Sequence, residues 1–175
     1  MFNRLFRLYF KVYFSFLLYL NRGKLAVFDI DNTLLNTWPL RAERLSEYEV
    51  YLKATPFKRV VELIRSLEGN GYQIFFITSR RYRYYLLTVR TLLRHFPLRI
   101  AKGAILVENP DAKIYFLDKA VGQVKEKILY YDDLSYNHEH GQIKFYSDVI
   151  EQIKKLDIVY FDAAYLNQIQ DVEIS

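Results

Sequence analysis

The 175-residue sequence predicts an α/β fold: a Rossmann-like three-layer sandwich on a five-stranded, mainly parallel sheet, with an amphipathic helix ahead of it. Three observations carry this. Past Gly23 short apolar runs alternate with amphipathic stretches, the pattern of strands joined by crossover helices. Those runs end repeatedly in polar or acidic residues, as strands do when their carboxyl ends meet at a ligand site. The composition breaks once, near residues 21–24, which separates a leading segment (1–23) from a domain (24–175).

Residues 1–24 hold the whole net charge. Arg4, Arg7, Lys11, Arg22 and Lys24 give them +5 with no acid, and the rest of the chain carries 20 bases and 20 acids. A nucleic-acid-binding domain would carry its excess on the folded body, so the basic total is weak support for that class. Arg4, Arg7, Lys11 and Ser15 fall on one face of a helix. Nearly everything else from Leu5 to Leu20 is aliphatic or aromatic, so the apolar face is broad. The apolar run is too short to span a bilayer, which needs about 20 residues. Asn21-Arg22-Gly23-Lys24 does not suit a secretory cleavage site. Two expectations stand open: an interfacial helix on an anionic membrane surface, or a helix packed on the body or on a second copy of the chain.

The remaining elements follow in order. Residues 25–30 form a first strand ending in acids. Thr55 caps a helix, with Pro56 in its first turn and Val60, Val61, Ile64 and Leu67 as its stripe; Gly69-Asn70-Gly71 stops it. Residues 72–77 form a second strand. Residues 80–96 read as a helix with Leu86, Val89, Leu92 and Leu93 inward. Strands at 104–107, 127–131 and 158–161 and helices at 113–124 and 147–156 complete the pattern. The chain has no cysteine, which excludes disulfides, thiolate zinc sites and a cysteine nucleophile.

Three strand ends carry chemistry: Asp29-Ile30-Asp31-Asn32-Thr33, Thr78-Ser79-Arg80, and Asp132-Asp133. Carboxylates converging on one edge are costly unless a cation neutralises them. An oxygen-only ligand set selects a hard ion, Mg²⁺ before others. His138-Glu139-His140 offers two histidines with no third ligand, so a polar loop is expected there.

These motifs resemble those of the haloacid dehalogenase superfamily, a group of phosphatases and phosphotransferases. Its first signature matches Val27-Phe28-Asp29-Ile30-Asp31-Asn32-Thr33-Leu34, its second Phe75-Phe76-Ile77-Thr78, and its fourth Leu129-Tyr130-Tyr131-Asp132-Asp133. The resemblance spans about residues 24–160. It implies that Asp29 is a nucleophile forming an aspartyl-phosphate, that Asp31 is the general acid and base, and that Thr78 binds phosphoryl oxygens. It also implies that Asp29, the Asp31 carbonyl, Asp132 and Asp133 hold or orient Mg²⁺. Of two candidates for the family lysine, Lys113 opens a helix and Lys119 lies within it; Lys113 is preferred, and Lys119 stays open.

The family inserts cap domains, and only residues 34–54 are available here, so a nearly capless domain is expected. Trp38 and Pro39 are read either as a lid over the site or as a plug in the insert. Thr33, Ser79, Arg80 and Arg81 are expected to contact substrate. The stretch 69–107 has seven bases and no acid. Arginines and tyrosines at its start suit a nucleotide or a nucleic-acid end. The expected activity is Mg²⁺-dependent phosphomonoester hydrolysis of a phosphorylated small molecule, with a nucleic-acid end as the other substrate class. The expected location is the cytoplasm, with peripheral attachment or self-association through the leading helix left open. The rival reading is a non-enzymatic adaptor that binds a phosphorylated ligand.

Overall fold

A computed structural model describes residues 2–20, 23–139, 142–144 and 146–170. In chain order the elements are α1 (Phe2–Leu20), β1 (Lys24–Phe28), β2 (Leu35–Asn36), α2 (Trp38–Ala42), α3 (Glu47–Lys53), β3 (Thr55–Pro56), α4 (Lys58–Gly69) and β4 (Tyr72–Thr78). A 3₁₀ turn (Tyr82–Tyr84) leads into α5 (Tyr85–Leu93), α6 (Leu98–Ala101), β5 (Ala104–Leu106), α7 (Ala112–Val121) and β6 (Ile128–Tyr131). Then come β7 (Asn137–Glu139), β8 (Gln142–Lys144), α8 (Ser147–Lys154), β9 (Ile158–Phe161) and α9 (Ala163–Ile169).

The main sheet has five strands in the order β5-β4-β1-β6-β9, and every pairing is parallel. Leu25–Phe28 in the central strand is wholly buried, the near-continuous apolar run expected of a strand covered on both faces. Helices surround it: α1, α7 and α8 pack side by side, and α5 packs on α3 and α6. From β1 the chain builds outward through β4 and β5, then returns to the other side as β6 and β9. The order therefore reverses between β1 and β6, at whose carboxyl ends ligands bind in such sheets.

Several local expectations need correction. Thr55 and Pro56 do not open the helix. They pair antiparallel with Leu35 and Asn36, and α4 begins after Phe57. The turn that stops α4 is built as expected, with Gly71 at φ +83°, which only glycine adopts readily. In α5, Leu86 and Leu93 face solvent, while Thr88, Thr91 and Leu92 are buried. The two threonines serve polar partners: Thr88 Oγ1 accepts from Arg80, and Thr91 Oγ1 donates to the Tyr51 carbonyl at 3.2 Å. A hydrophobic stripe count misses a buried face whose task is hydrogen bonding.

One face of α1 belongs to the core. Phe10, Phe14 and Leu18, spaced by four, are fully buried. The Phe14 ring meets Phe75 at 5.5 Å and Phe116 at 5.2 Å. Packing on the body, one of the two expectations for this helix, thus accounts for its inner row. Among the described residues no helix is long and apolar enough to cross a membrane.

Candidate active site

The loop after β1 starts with Asp29, whose amide donates to the Tyr131 carbonyl at 2.9 Å and so extends the β1–β6 ladder by one step. The chain then turns tightly. Asn32 takes a left-handed conformation (φ 57°), which Asn tolerates better than most residues. Its Oδ1 accepts from the Thr37 hydroxyl at 2.8 Å. From α9's end, Gln170 Nε2 donates to the carbonyls of Asn32 and Thr33 at 2.5 and 3.1 Å.

Asp29, Asp132 and Asp133 converge, with one carboxylate oxygen of each within 4.8 Å of the others. All three are buried. Lys113, in the first turn of α7, reaches in and donates to Asp29 Oδ1 at 2.7 Å and to Asp132 Oδ2 at 2.6 Å. Lys119 turns away and donates to Ser15 of α1 at 2.5 Å. The structure therefore brings Lys113 to the acids and not Lys119. Burial pushes the Asp29 carboxyl up to about 7, with Asp132 and Asp31 adding to the rise and Lys113 opposing it. Burial and then Asp132 raise Asp133 well above the usual carboxylate range. Burial alone would depress the Lys113 ammonium, but Asp132 and Asp29 more than reverse that.

One lysine cannot balance three buried acids. Asp132 Oδ1 and Asp133 Oδ2 are buried and find no hydrogen-bond partner on the protein. A hard cation fits this set of oxygens, because it answers both the excess charge and the orphaned acceptors. Thr78 Oγ1, at the end of β4, is likewise buried without a partner. It lines an open cleft of about 190 Å³ together with Asp29, Asp31, Ser79, Arg81 and Lys113.

Asp31 has a different setting. Arg80 grips it with a fork: Nε donates to Oδ2 at 3.0 Å and Nη2 to Oδ1 at 2.7 Å. Arg41 stands 4.0 Å from Oδ2. Burial would raise this carboxyl, but Arg80, then Arg41 and Lys113, hold it below the usual range. The Arg80 guanidinium also stacks over Tyr51, 3.9 Å from the ring centre, and its Nη1 reaches Thr88 Oγ1 at 3.3 Å.

These contacts bear on two residues expected to meet substrate. Arg80 lines the cleft, but its side chain is fully buried and each of its three nitrogens donates to Asp31 or Thr88, so it also positions Asp31. Thr33 is buried, and its hydroxyl accepts from the Asp133 amide at 3.2 Å, bracing one motif against another. Ser79 and Arg81 do line the cleft, although Arg81 leans toward Glu47 at 3.7 Å. Trp38 is no lid over this cleft. It lines a second cavity of about 180 Å³ with Phe57, Asp133 and Leu166. The side chains of His138 and Glu139, and all of His140, lie outside the described residues.

Sequence reasoning missed five contributors. Arg41, Glu47 and Tyr51 come from the insert between β1 and β4, and Glu108 from the loop after β5. Glu108 has φ 60° and accepts from the Tyr82 amide at 3.1 Å. The fifth, Tyr130, donates its hydroxyl to Asp132 Oδ2 from within β6.

Comparison with known proteins adds to this geometry. No family model matches the sequence, and no curated protein matches it. Among solved structures, the class C acid phosphatase from Bacillus anthracis superposes with a TM-score of 0.52 at 16% identity, covering 83% of this chain and 68% of that one. The same enzyme with tungstate bound gives 0.54 at 17% identity, with the same coverage. A putative beta-phosphoglucomutase from Thermotoga maritima gives 0.48 at 15% identity, covering 85% of this chain and 99% of that one. The chain has the haloacid dehalogenase-like fold. Within this fold the first-motif strand is central, and the insert after it is confined to two short helices and a two-stranded ribbon. Ser46 and Glu49 form a reciprocal capping box on α3, which fixes the helix that presents Glu47 and Tyr51 to the cleft.

Proposed function

We propose that the chain is a Mg²⁺-dependent phosphomonoester hydrolase working through an aspartyl-phosphate on Asp29. The observation that carries this reading is the buried acid cluster, with Lys113 bridging Asp29 and Asp132 while one oxygen each of Asp132 and Asp133 stands buried and unpartnered. Asp29, Asp132, Asp133 and the Asp31 carbonyl would hold Mg²⁺, which supplies positive charge for the phosphoryl oxygens and keeps Asp29 ionised.

The chain's own residues account for the remaining work. An Asp29 carboxylate oxygen attacks phosphorus, and the bond to the ester oxygen breaks. Lys113 adds charge beside the nucleophile. Thr78 Oγ1, with no partner on the protein, is available to a phosphoryl oxygen. Asp31, two residues on, donates a proton to the departing alcohol and takes one from the water that then cleaves the acyl-phosphate. Arg80 and Arg41 favour its carboxylate form, the form needed for the second step.

A phosphorylated small molecule suits this cleft better than a nucleic-acid end. The basic stretch is partly answered by acids outside it: Arg83 pairs with Glu47 at 3.2 Å and Arg99 with Glu68 at 2.6 Å, while Arg94 donates to the Leu52 carbonyl at 3.0 Å. This lowers the charge left for a phosphate backbone.

The test is hydrolysis of an aryl phosphate by the full chain, with Mg²⁺ and with EDTA, beside Asp29→Asn. Turnover is expected to need the metal and to fall about 10⁴-fold or more in the variant. Activity that survives both changes excludes the mechanism. Tungstate, the anion held by the structurally similar acid phosphatase, is expected to inhibit competitively.

A further inference from the structure

We propose that the outward face of α1 docks on an anionic lipid surface. The helix has two apolar rows, one buried against the body and one facing outward. Leu5, Leu8, Val12, Phe16 and Tyr19 recur at spacings of three and four, and each is more than half exposed. The row cannot turn inward, because contacts around the helix fix its rotation. Phe10 and Phe14 are buried beneath it, the Tyr13 hydroxyl donates to the Lys102 carbonyl at 3.0 Å, and Lys119 donates to Ser15 at 2.5 Å. A continuous apolar stripe of this kind marks a surface with a partner.

Charge selects the partner. Arg4 and Arg7 are exposed along one edge of the stripe, and the Tyr13 contact sets exposed Lys102 along the other. Helix Phe2–Leu20 contains no acid. A second copy packed face to face would bring these basic edges together with no acid on the helix to answer them. Lipid phosphates answer both edges while the acyl boundary takes the apolar row, with Phe16 and Tyr19 at the headgroup level. The helix would lie on the surface, since no described helix can cross it. Docking also sets the cleft beside the lipid: Asn3 donates to Glu108 at 3.0 Å, and Glu108 lines the cleft. The docking claim does not depend on the phosphatase reading, and its test reads no turnover.

The test is co-sedimentation of the full chain with vesicles of phosphatidylcholine alone and with phosphatidylglycerol added, at low and high salt, beside sedimentation equilibrium without lipid. The chain is expected to be monomeric and to bind only the anionic vesicles, less so at high salt. Val12→Glu with Phe16→Glu is expected to cut partitioning about tenfold or more. Arg4→Glu with Arg7→Glu is expected to cut it by about fivefold or more per charge. Because all four positions are partly or fully exposed, the thermal midpoint is expected to stay unchanged, which separates lost docking from lost folding. Failure to bind anionic vesicles, equal binding to neutral ones, or a lipid-free dimer that the Val12 and Phe16 changes dissociate would each overturn the proposal.

Discussion

Asp29 and Asp31 stand two residues apart on one loop, yet the fold gives them opposite electrostatic settings. Asp29 joins Asp132 and Asp133 in a buried cluster that holds a single lysine, and its carboxyl is pushed up to about 7. Asp31 faces two guanidiniums, one in a two-pronged grip, and its carboxyl is held down. The first acid is left short of positive charge, and the second has more than it needs. The difference shows how one loop can supply a cation site and a separately balanced proton carrier. A shared setting would make the two acids compete for the same counter-charge.

The comparison breaks most sharply at Asp31 itself. Asp31→Asn keeps the shape and removes the proton carrier, so kcat is expected to fall by about 10²- to 10⁴-fold while Mg²⁺ binding, read by calorimetry, stays close to that of the unaltered chain. Loss of Mg²⁺ affinity as large as the loss of turnover would place Asp31's carboxylate in the metal site.

Arg80→Lys comes next. It keeps the charge but loses the fork and the stacking on Tyr51. A drop in kcat of about tenfold is expected. The alkaline limb of the pH–rate profile is expected to move upward as Asp31 becomes easier to protonate. A pure packing role for Arg80 would lower the melting temperature and leave that limb in place.

The smallest effect is on stability. An acid whose folded value lies above its unfolded value of about 3.9 binds more protons when folded, so its contribution declines as pH rises between the two. For Asp29 that window runs from about 4 to about 7. Without divalent cation, the melting temperature is expected to fall by several degrees across it. Mg²⁺ is expected to raise the midpoint and flatten the slope, since a cation keeps the acids ionised. A cation-free slope of the opposite sign would show that the cluster is already balanced.

Much of this site was legible in the sequence because parallel strands bring their carboxyl ends to one edge. Apolar runs ending in Asp29, Thr78 and Asp132 therefore had to place these residues together. Lys113 could be preferred over Lys119 because a helix's first turn lies near that edge. The Arg80–Asp31 pair was not legible: 49 residues separate the partners, and a basic side chain next to a motif reads as a substrate contact. Tyr51, Arg41 and Glu47 depend on how the short insert folds back, which periodicity does not encode. Tyr130 did leave a signal. It stands two residues before Asp132, and alternation along a strand puts both on one face. The buried threonines of α5 defeated the hydrophobic pattern because that face binds Arg80 and the Tyr51 backbone.

The central claim is that Asp29 carries the phosphoryl group. Its most direct test is acid quenching of the full chain during turnover of an aryl phosphate with Mg²⁺, followed by mapping of the modified peptide. The account predicts one hydroxylamine-labile phosphoryl group on Asp29, absent when EDTA replaces Mg²⁺. A phosphoryl group on Thr78 or Ser79, or full turnover with no covalent adduct at any quench time, would contradict it.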